Sequence, residues 1–307
     1  MTDYIIATAT NSTRAPYALN LIASIQLRSP IFKEIQVYDL GLTRFQRLQF
    51  KGCKGVKLIR VPAFSPHWNK GWTWKPWIWM NTGHTKVIFL DAGTEVLRDL
   101  TEICDLVDRD GYFTVSQYNT LPDGCTLRTI APQDYFEKYD VKPSLGSRPV
   151  VAAGIIGFQT SSDFYKHVLR PTYKACLKGD NLGWSEHELW RNTGFNRQDP
   201  PIIRECAYFR HDQTLLNLLL YKHIAKPIIQ PVEKFGGYHS AHDHPEQLIW
   251  NSRAHNPLKL IGQLKYKHSS YVRNRVNVQH LKLVDSKLFI LLSRIFRKLQ
   301  RIMGIST

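Results

Sequence analysis

Short apolar runs alternate with helically spaced apolar residues through the first part of this chain, and that alternation most limits what it can fold into. Tyr4–Ala9 reads as a buried strand, and Ala15–Leu27 places Leu19, Ile22, Ala23 and Ile25 at helical spacing. Ile35–Tyr38 reads as a second strand, Leu42–Phe50 as a helix, Val56–Val61 as a third strand, Trp72–Asn81 as a helix and Val87–Leu90 as a fourth strand. Strands that take turns with helices predict an α/β fold: a mostly parallel central sheet with helices on both faces. Farther along, Leu100–Val107, Phe164–Leu177 and Thr214–His223 read as helices, and Tyr112–Ser116 and Val150–Phe158 as strands. Gln230–Pro257, rich in His, Gly and Pro, reads as an ordered loop or flap more than a core element.

Charge narrows the partners. Lys and Arg total 41 against 25 Asp and Glu, a formal net charge of +16, which calls for an anionic partner. From Asn251 onward there are 12 Lys or Arg against the single Asp285, so most of the excess sits in the last fifth of the chain and the body is only mildly basic. The cysteines Cys53, Cys104, Cys125, Cys176 and Cys206 are scattered and never form a CxxC pair, which excludes a zinc ribbon and a disulfide framework and predicts reduced core thiols. Met1–Asp3 leads into a strand without a basic segment or long apolar run, and Leu288–Leu292 is too short to span a bilayer. A cytoplasmic protein is expected.

In open α/β sheets ligands bind at the carboxyl ends of the strands. Here those ends are polar: Thr8, Thr10, Asn11 and Ser12 after the first strand, Asp39 after the second, and Asp91-Ala92-Gly93-Thr94 after the fourth. Neither GxGxxG nor GxxxxGK(S/T) is present at them, which argues against dinucleotide oxidoreductases and P-loop enzymes.

The segments "IIATATN", "SIQLRSPIFKEIQVYDLGLT", "WKPWIWMNTGHTKVIFLDAGTEV", "VVAAGIIGF" and "RHDQTLLNLLL", in that order and spacing, resemble the GT-A glycosyltransferases of the nucleotide-diphospho-sugar transferase superfamily, most of all the branch around family eight. The resemblance spans Tyr4–Tyr221. It implies a GT-A (Rossmann-like) domain over residues 1–257 and transfer of a sugar from a nucleotide-diphosphate donor, expected to be a UDP-sugar, to a glycan or lipid-linked acceptor in surface polysaccharide assembly. Residues 258–307 are expected to form a basic helical extension.

Under this resemblance Asp91 occupies the place of the family's DxD motif, which holds Mn²⁺ or Mg²⁺. Such a cation offsets charge gathering on a departing diphosphate and needs oxygen ligands. Gly93 stands where the second Asp belongs, so Glu95, or a histidine of the later loop such as His239, is expected to complete the metal site, unless basic side chains replace it. Thr8, Asn11, Asp39, Lys75, Ala153 and Gly154 are expected to bind the donor, with Asp39 toward the base or ribose and Ala153 and Gly154 leaving room for the sugar. Asp212 and Asp91 are the catalytic candidates, Asp212 beside the acceptor hydroxyl as a base or positioning group. Asp91 and Asp39 also suit ordinary turns, Asp212 a helix cap, and Lys75 a solvated helix face. The clustered tryptophans Trp68, Trp72, Trp74, Trp77 and Trp79 suit packing or a sugar platform.

Leu281, Val284, Leu288, Leu291, Leu292, Ile295, Leu299 and Ile302 form a helical apolar stripe flanked by Lys282, Lys287, Arg294, Arg297, Lys298 and Arg301. That pattern predicts an amphipathic helix on the anionic inner face of the membrane, or one packed against the body. The rival readings are a nucleic-acid-binding protein, which the confinement of charge to one tail disfavours, and a catalytically silent sugar-nucleotide-binding relative, which Gly93 favours.

Overall fold

In the computed structural model, which describes residues 3–117, 125–183, 209–237, 244–251 and 260–267, the strands build one six-stranded sheet in the order β3-β2-β1-β4-β7-β6. β1 is Tyr4–Thr10, β2 Ile35–Asp39, β3 Val56–Arg60, β4 Lys86–Leu90, β6 Tyr112–Ser116 and β7 Val151–Gln159. The pairs β1–β2, β1–β4 and β2–β3 are parallel. β7 runs antiparallel to both β4 and β6, so the sheet is mostly parallel, as the alternation predicts. A small second sheet pairs β5 (Thr94–Val96) with β8 (Ile249–Asn251).

The period-two alternation of strands divides the core. Ile6, Val37, Ile88 and Leu90 face one hydrophobic cluster with the helices α1 (Ala15–Arg28), α2 (Arg44–Gly52) and α4 (Thr101–Asp110). Ile5, Ala7, Tyr38, Val87 and Phe89 face another, with α3 (Trp74–Met80), the π-helical turn Phe164–Leu169 and α8 (Asp212–His223). α7 (Arg170–Leu177) continues that turn. Two short helices, α5 (Leu127–Ile130) and α6 (Gln133–Lys138), and the segment before α8 build a third cluster.

Element ends follow local chemistry. α2 begins at Arg44 rather than Leu42 because Thr43 and Gln46 form a reciprocal capping box. α3 begins at Trp74 rather than Trp72, because Gly71 and Trp72 take positive φ values of 51° and 56°, which no right-handed helix accommodates. The expected loop over Gln230–Pro257 is corrected where it is described. Val232–Phe235 forms a helical turn, α9, Ile249–Asn251 pairs with β5, and Val232, Phe235, Leu248 and Ile249 are buried in the first core cluster. The Gly and His content hid these apolar anchors. Leu260, Ile261 and Leu264 also pack into that cluster, and the Leu260 N–H donates to Asn20 Oδ1 on α1 at 2.8 Å.

Cys53, Cys104, Cys125 and Cys176 are all buried. Burial pushes the Cys53 and Cys104 thiols up to about 12. No helix among the described residues is long and apolar enough to cross a membrane. The amphipathic stripe Leu281–Ile302 lies outside the described residues, as does His239.

Candidate active site

Three charged side chains from distant parts of the sequence converge at the carboxyl edge of β4. Lys75, in the first turn of α3, puts its ammonium 3.0 Å from Asp91 Oδ1 and 3.9 Å from Asp212 Oδ2. Its side chain is 6% exposed, those of Asp91 and Asp212 16% and 5%. Ionic groups this buried persist only when paired. The solvated-helix reading of Lys75 is therefore set aside by its burial.

Each group is aimed by its element. The Asp91 N–H donates to the Gly154 carbonyl at 2.8 Å, while Thr94 donates to the Asp91 carbonyl through N–H (3.0 Å) and Oγ1 (2.8 Å). This fixes the turn that leaves β4. A Cβ added at Gly154 would lie 2.5 Å from Asp91 Oδ2 and 3.0 Å from its Cγ. The missing side chain of Gly154 is thus what lets the carboxylate occupy its position. Ala153, by strand alternation, points to the opposite face and is buried in the second core cluster, so of the two small residues only Gly154 borders the carboxylates.

Asp212 is the first residue of α8, and the N-cap position is His211, with no side-chain cap. Burial raises the Asp212 carboxyl strongly, to about 7; Lys75 opposes the rise, Asp91 adds to it, and the first amides of the helix oppose it. Its Oδ2 is buried with no hydrogen-bond partner. A desolvated carboxylate oxygen without a donor is costly, and an incoming hydroxyl supplies what it lacks. The next residue, Gln213, donates to the Val151 carbonyl at 2.8 Å and to Gln117 Oε1 at 2.9 Å, tying the start of α8 to β7.

Thr8 and Asn11 line the end of β1. Thr8 is fully buried, its hydroxyl without a partner, and Asn11 Oδ1 accepts from Thr13 Oγ1 at 2.9 Å and from the Arg14 N–H at 3.0 Å, shaping the entry to α1. Asp39 is spent on its own turn: Oδ1 accepts from the Gly41 and Leu42 N–H groups (2.8 and 2.6 Å), and Oδ2 accepts from Arg47 Nε at 2.6 Å. Burial would raise its carboxyl, but Arg47 and the two amides together bring it below the usual range.

The side chains around Asp91 make a poor donor set for a divalent cation. Gly93 brings no side-chain oxygen, and Glu95 is buried in β5 with Oε2 accepting from Asn20 Nδ2 on α1 at 3.3 Å. Asp91 Oδ1 already carries the Lys75 ammonium. Among the described residues no three His, Cys, Asp or Glu side chains gather as a metal site. A hard cation needs several oxygen ligands, and these side chains do not fit one held by the protein ahead of the donor.

Beside this trio stand Trp72, one of the clustered tryptophans read from the sequence as packing groups or a sugar platform, and His211, which that reading gave no role. The rings of His211 and Trp72 meet at a tilt of 44° with centroids 5.0 Å apart, and both residues have positive φ, 57° and 56°. Asn181 binds the two segments together. Its Nδ2 donates to the Gly71 carbonyl at 2.7 Å and to Thr73 Oγ1 at 2.8 Å, and its carbonyl lies 2.8 Å from His211 Nδ1. Only the Gly71 preceding Trp72 hinted at this turn in sequence.

This mostly parallel sheet, with one antiparallel strand beside β4 and charged residues at the β4 edge, has the α/β fold of solved GT-A glycosyltransferases. Comparison with solved structures places the bifunctional glycosyltransferase WbbM beside it at a TM-score of 0.51 and 15% identity, over 77% of this chain and 40% of that one. The galactosyltransferase LgtC, solved with donor and acceptor sugar analogues, covers 90% of this chain and 95% of its own at 13% identity and a TM-score of 0.48. The glycosyltransferase GlyE of Streptococcus pneumoniae covers 97% and 64% at 12% identity and 0.46. This chain thus spans about 40% of the length of WbbM, and at 15% identity the likeness is one of fold. No known family profile matches the sequence, and no curated protein matches it.

Proposed function

We propose that this chain is a glycosyltransferase that moves a sugar from a nucleotide-diphosphate donor to an acceptor hydroxyl, with Lys75, Asp91 and Asp212 at the sugar-binding end of the site. The observation that carries the reading is the single buried ammonium shared by two carboxylates, 3.0 Å from one and 3.9 Å from the other, at the sheet edge where α/β folds take ligands. One donor cation between two acceptor groups is suited to sugar hydroxyls, which both give and accept hydrogen bonds.

In this reading Asp91 and Lys75 orient the donor sugar through its hydroxyls. Asp212 accepts a hydroxyl at Oδ2, and a carboxyl titrating near neutrality suits proton removal from the acceptor as the new bond forms. Gly154 gives the Asp91 carboxylate the space it needs to face the donor sugar. Thr8 and Asn11, at the end of β1, border the donor toward its nucleotide, and Asp39 shapes that end through its turn rather than through a free carboxylate. A UDP-sugar is the donor we favour, on the resemblance to family eight. The basic stripe between Leu281 and Ile302 supports attachment to an anionic membrane surface, where lipid-linked acceptors of surface polysaccharide assembly are presented.

A panel of UDP-, GDP-, CMP- and dTDP-sugars tests the function by donor hydrolysis and thermal shift. At least one sugar nucleotide is expected to raise the melting temperature and be turned over, and Asp212→Asn is expected to abolish turnover while keeping the shift. No shift and no turnover with any donor, with or without Mn²⁺, overturns the reading.

A further inference from the structure

Trp72 is the one exposed tryptophan among the described residues, at 46%, yet it stands three residues before Lys75 in the chain and lies against the ring of His211, the neighbour of Asp212, at a tilt of 44°. Burying large apolar surface is favourable, so an aromatic left half exposed beside buried charges is unusual. Its backbone is unusual too: a bulky residue with φ of 56° is strained, and such strain persists only where the surroundings enforce it. The surroundings here are specific. Gly71, itself at φ of 51°, packs so closely that a Cβ would lie 2.9 Å from the Asn181 carbonyl oxygen. Buried Asn181 grips the Gly71 carbonyl and Thr73 Oγ1 on either side of Trp72 and meets His211 Nδ1 with its own carbonyl. A relaxed loop would let Trp72 fold back onto the apolar cluster that Trp68, Trp74 and Trp77 join. The clamp instead holds the indole against His211 at a 44° tilt and leaves the residue 46% exposed.

We propose that Trp72 is a stacking platform for the sugar ring of the acceptor, set by the Asn181 clamp beside the orphan Oδ2 of Asp212. The inference rests on the glycosyltransferase reading and adds where the acceptor sits and which residue selects it. The indole face is electronegative and attracts the C–H-rich face of a pyranose. Asp212 Oδ2, buried and without a hydrogen-bond partner, offers the acceptor hydroxyl a place once the ring is seated. A nucleotide base would stack as well, but the Lys75–Asp91–Asp212 end is assigned to sugar hydroxyls, and the ends of β1 and β2 to the nucleotide.

The test titrates methyl β-glucoside, methyl β-galactoside and methyl N-acetyl-β-glucosaminide into the full chain with UDP present, followed by saturation-transfer NMR. It is made on the native protein and on Trp72→Ala and Trp72→Phe, with UDP thermal shift measured in parallel. At least one glycoside is expected to bind the native protein and to weaken about tenfold in Trp72→Ala, with Phe restoring most of the affinity and UDP shifts equal in all three. The proposal is overturned if no glycoside binds the native protein, if affinity is the same in Trp72→Ala, or if UDP binding falls in step with the glycoside, which would place the nucleotide on the indole. Glycoside binding that depends on Trp72 in a chain that turns over no donor upholds the platform and sinks the transferase reading.

Discussion

Replacing Asp212 by Asn separates the electrostatics of the site from its chemistry. Burial first, then the nearby Asp91, raises the folded carboxyl from 3.8 to about 7, against the pull of Lys75. A raised acid pKa means the folded chain binds this proton more tightly than the unfolded one. Its stabilising contribution is complete below about pH 4 and is lost as the pH climbs through about 7. At about 1.4 kcal/mol per unit, ionised Asp212 costs the fold roughly 4 kcal/mol at about pH 8. Asn keeps the shape without the charge and leaves the Lys75–Asp91 pair in place. Thermal melts followed by circular dichroism are expected to show Asp212→Asn more stable than the native chain at about pH 8, by several degrees at about 2 °C per kcal/mol, with the difference vanishing near pH 4. Donor turnover is expected to disappear at both. An Asn variant that melts below the native chain at about pH 8, or with the same difference at both pH values, refutes the reasoning.

Gly154→Ala puts a methyl 2.5 Å from Asp91 Oδ2; we expect a loss of about 1–3 kcal/mol in stability and a larger fall in donor turnover than in melting temperature, measured by hydrolysis and calorimetry. Lys75→Met strands two buried carboxylates, and the cost, about 3–5 kcal/mol near neutral pH, is expected to shrink in acid as Asp212 takes up a proton, with pH-dependent melts as the check. Asn181→Ala removes the bonds to Gly71 and Thr73 and is expected to cost about 1–3 kcal/mol, with indole fluorescence reporting a displaced Trp72. Mn²⁺ without nucleotide is expected to leave the melting temperature unchanged, since Asp91 is already paired and Glu95 is bonded to Asn20; a clear upward shift would show a metal site built by the protein alone.

Much of the fold was legible because β1 and β4 carry the apolar runs Tyr4–Ala7 and Val87–Leu90, β2 is short and largely apolar, and α1 has apolar residues at helical spacing. Ile249 and Phe235 were missed because single apolar anchors in a Gly- and His-rich stretch have no period to detect. Asp91 and Asp212 were legible as charged residues at element ends, where strand geometry exposes ligand-facing groups. Glu95 was not separable from a ligand by sequence, because its bond to Asn20 on α1 joins residues 75 apart in the chain.

Sequence by itself determined the alternating α/β order, the carboxyl-end position of Asp91 and the concentration of positive charge after Asn251, because hydrophobic period and charge are local properties of the chain. Only the tertiary structure decided that Lys75 stands between Asp91 and Asp212, that Asp39 is consumed by Arg47 and its own turn, and that Asn181 props Trp72 against His211. These pairings join residues far apart in sequence, and desolvation fixes their charge and direction only once the sheet and both helix layers have closed around them.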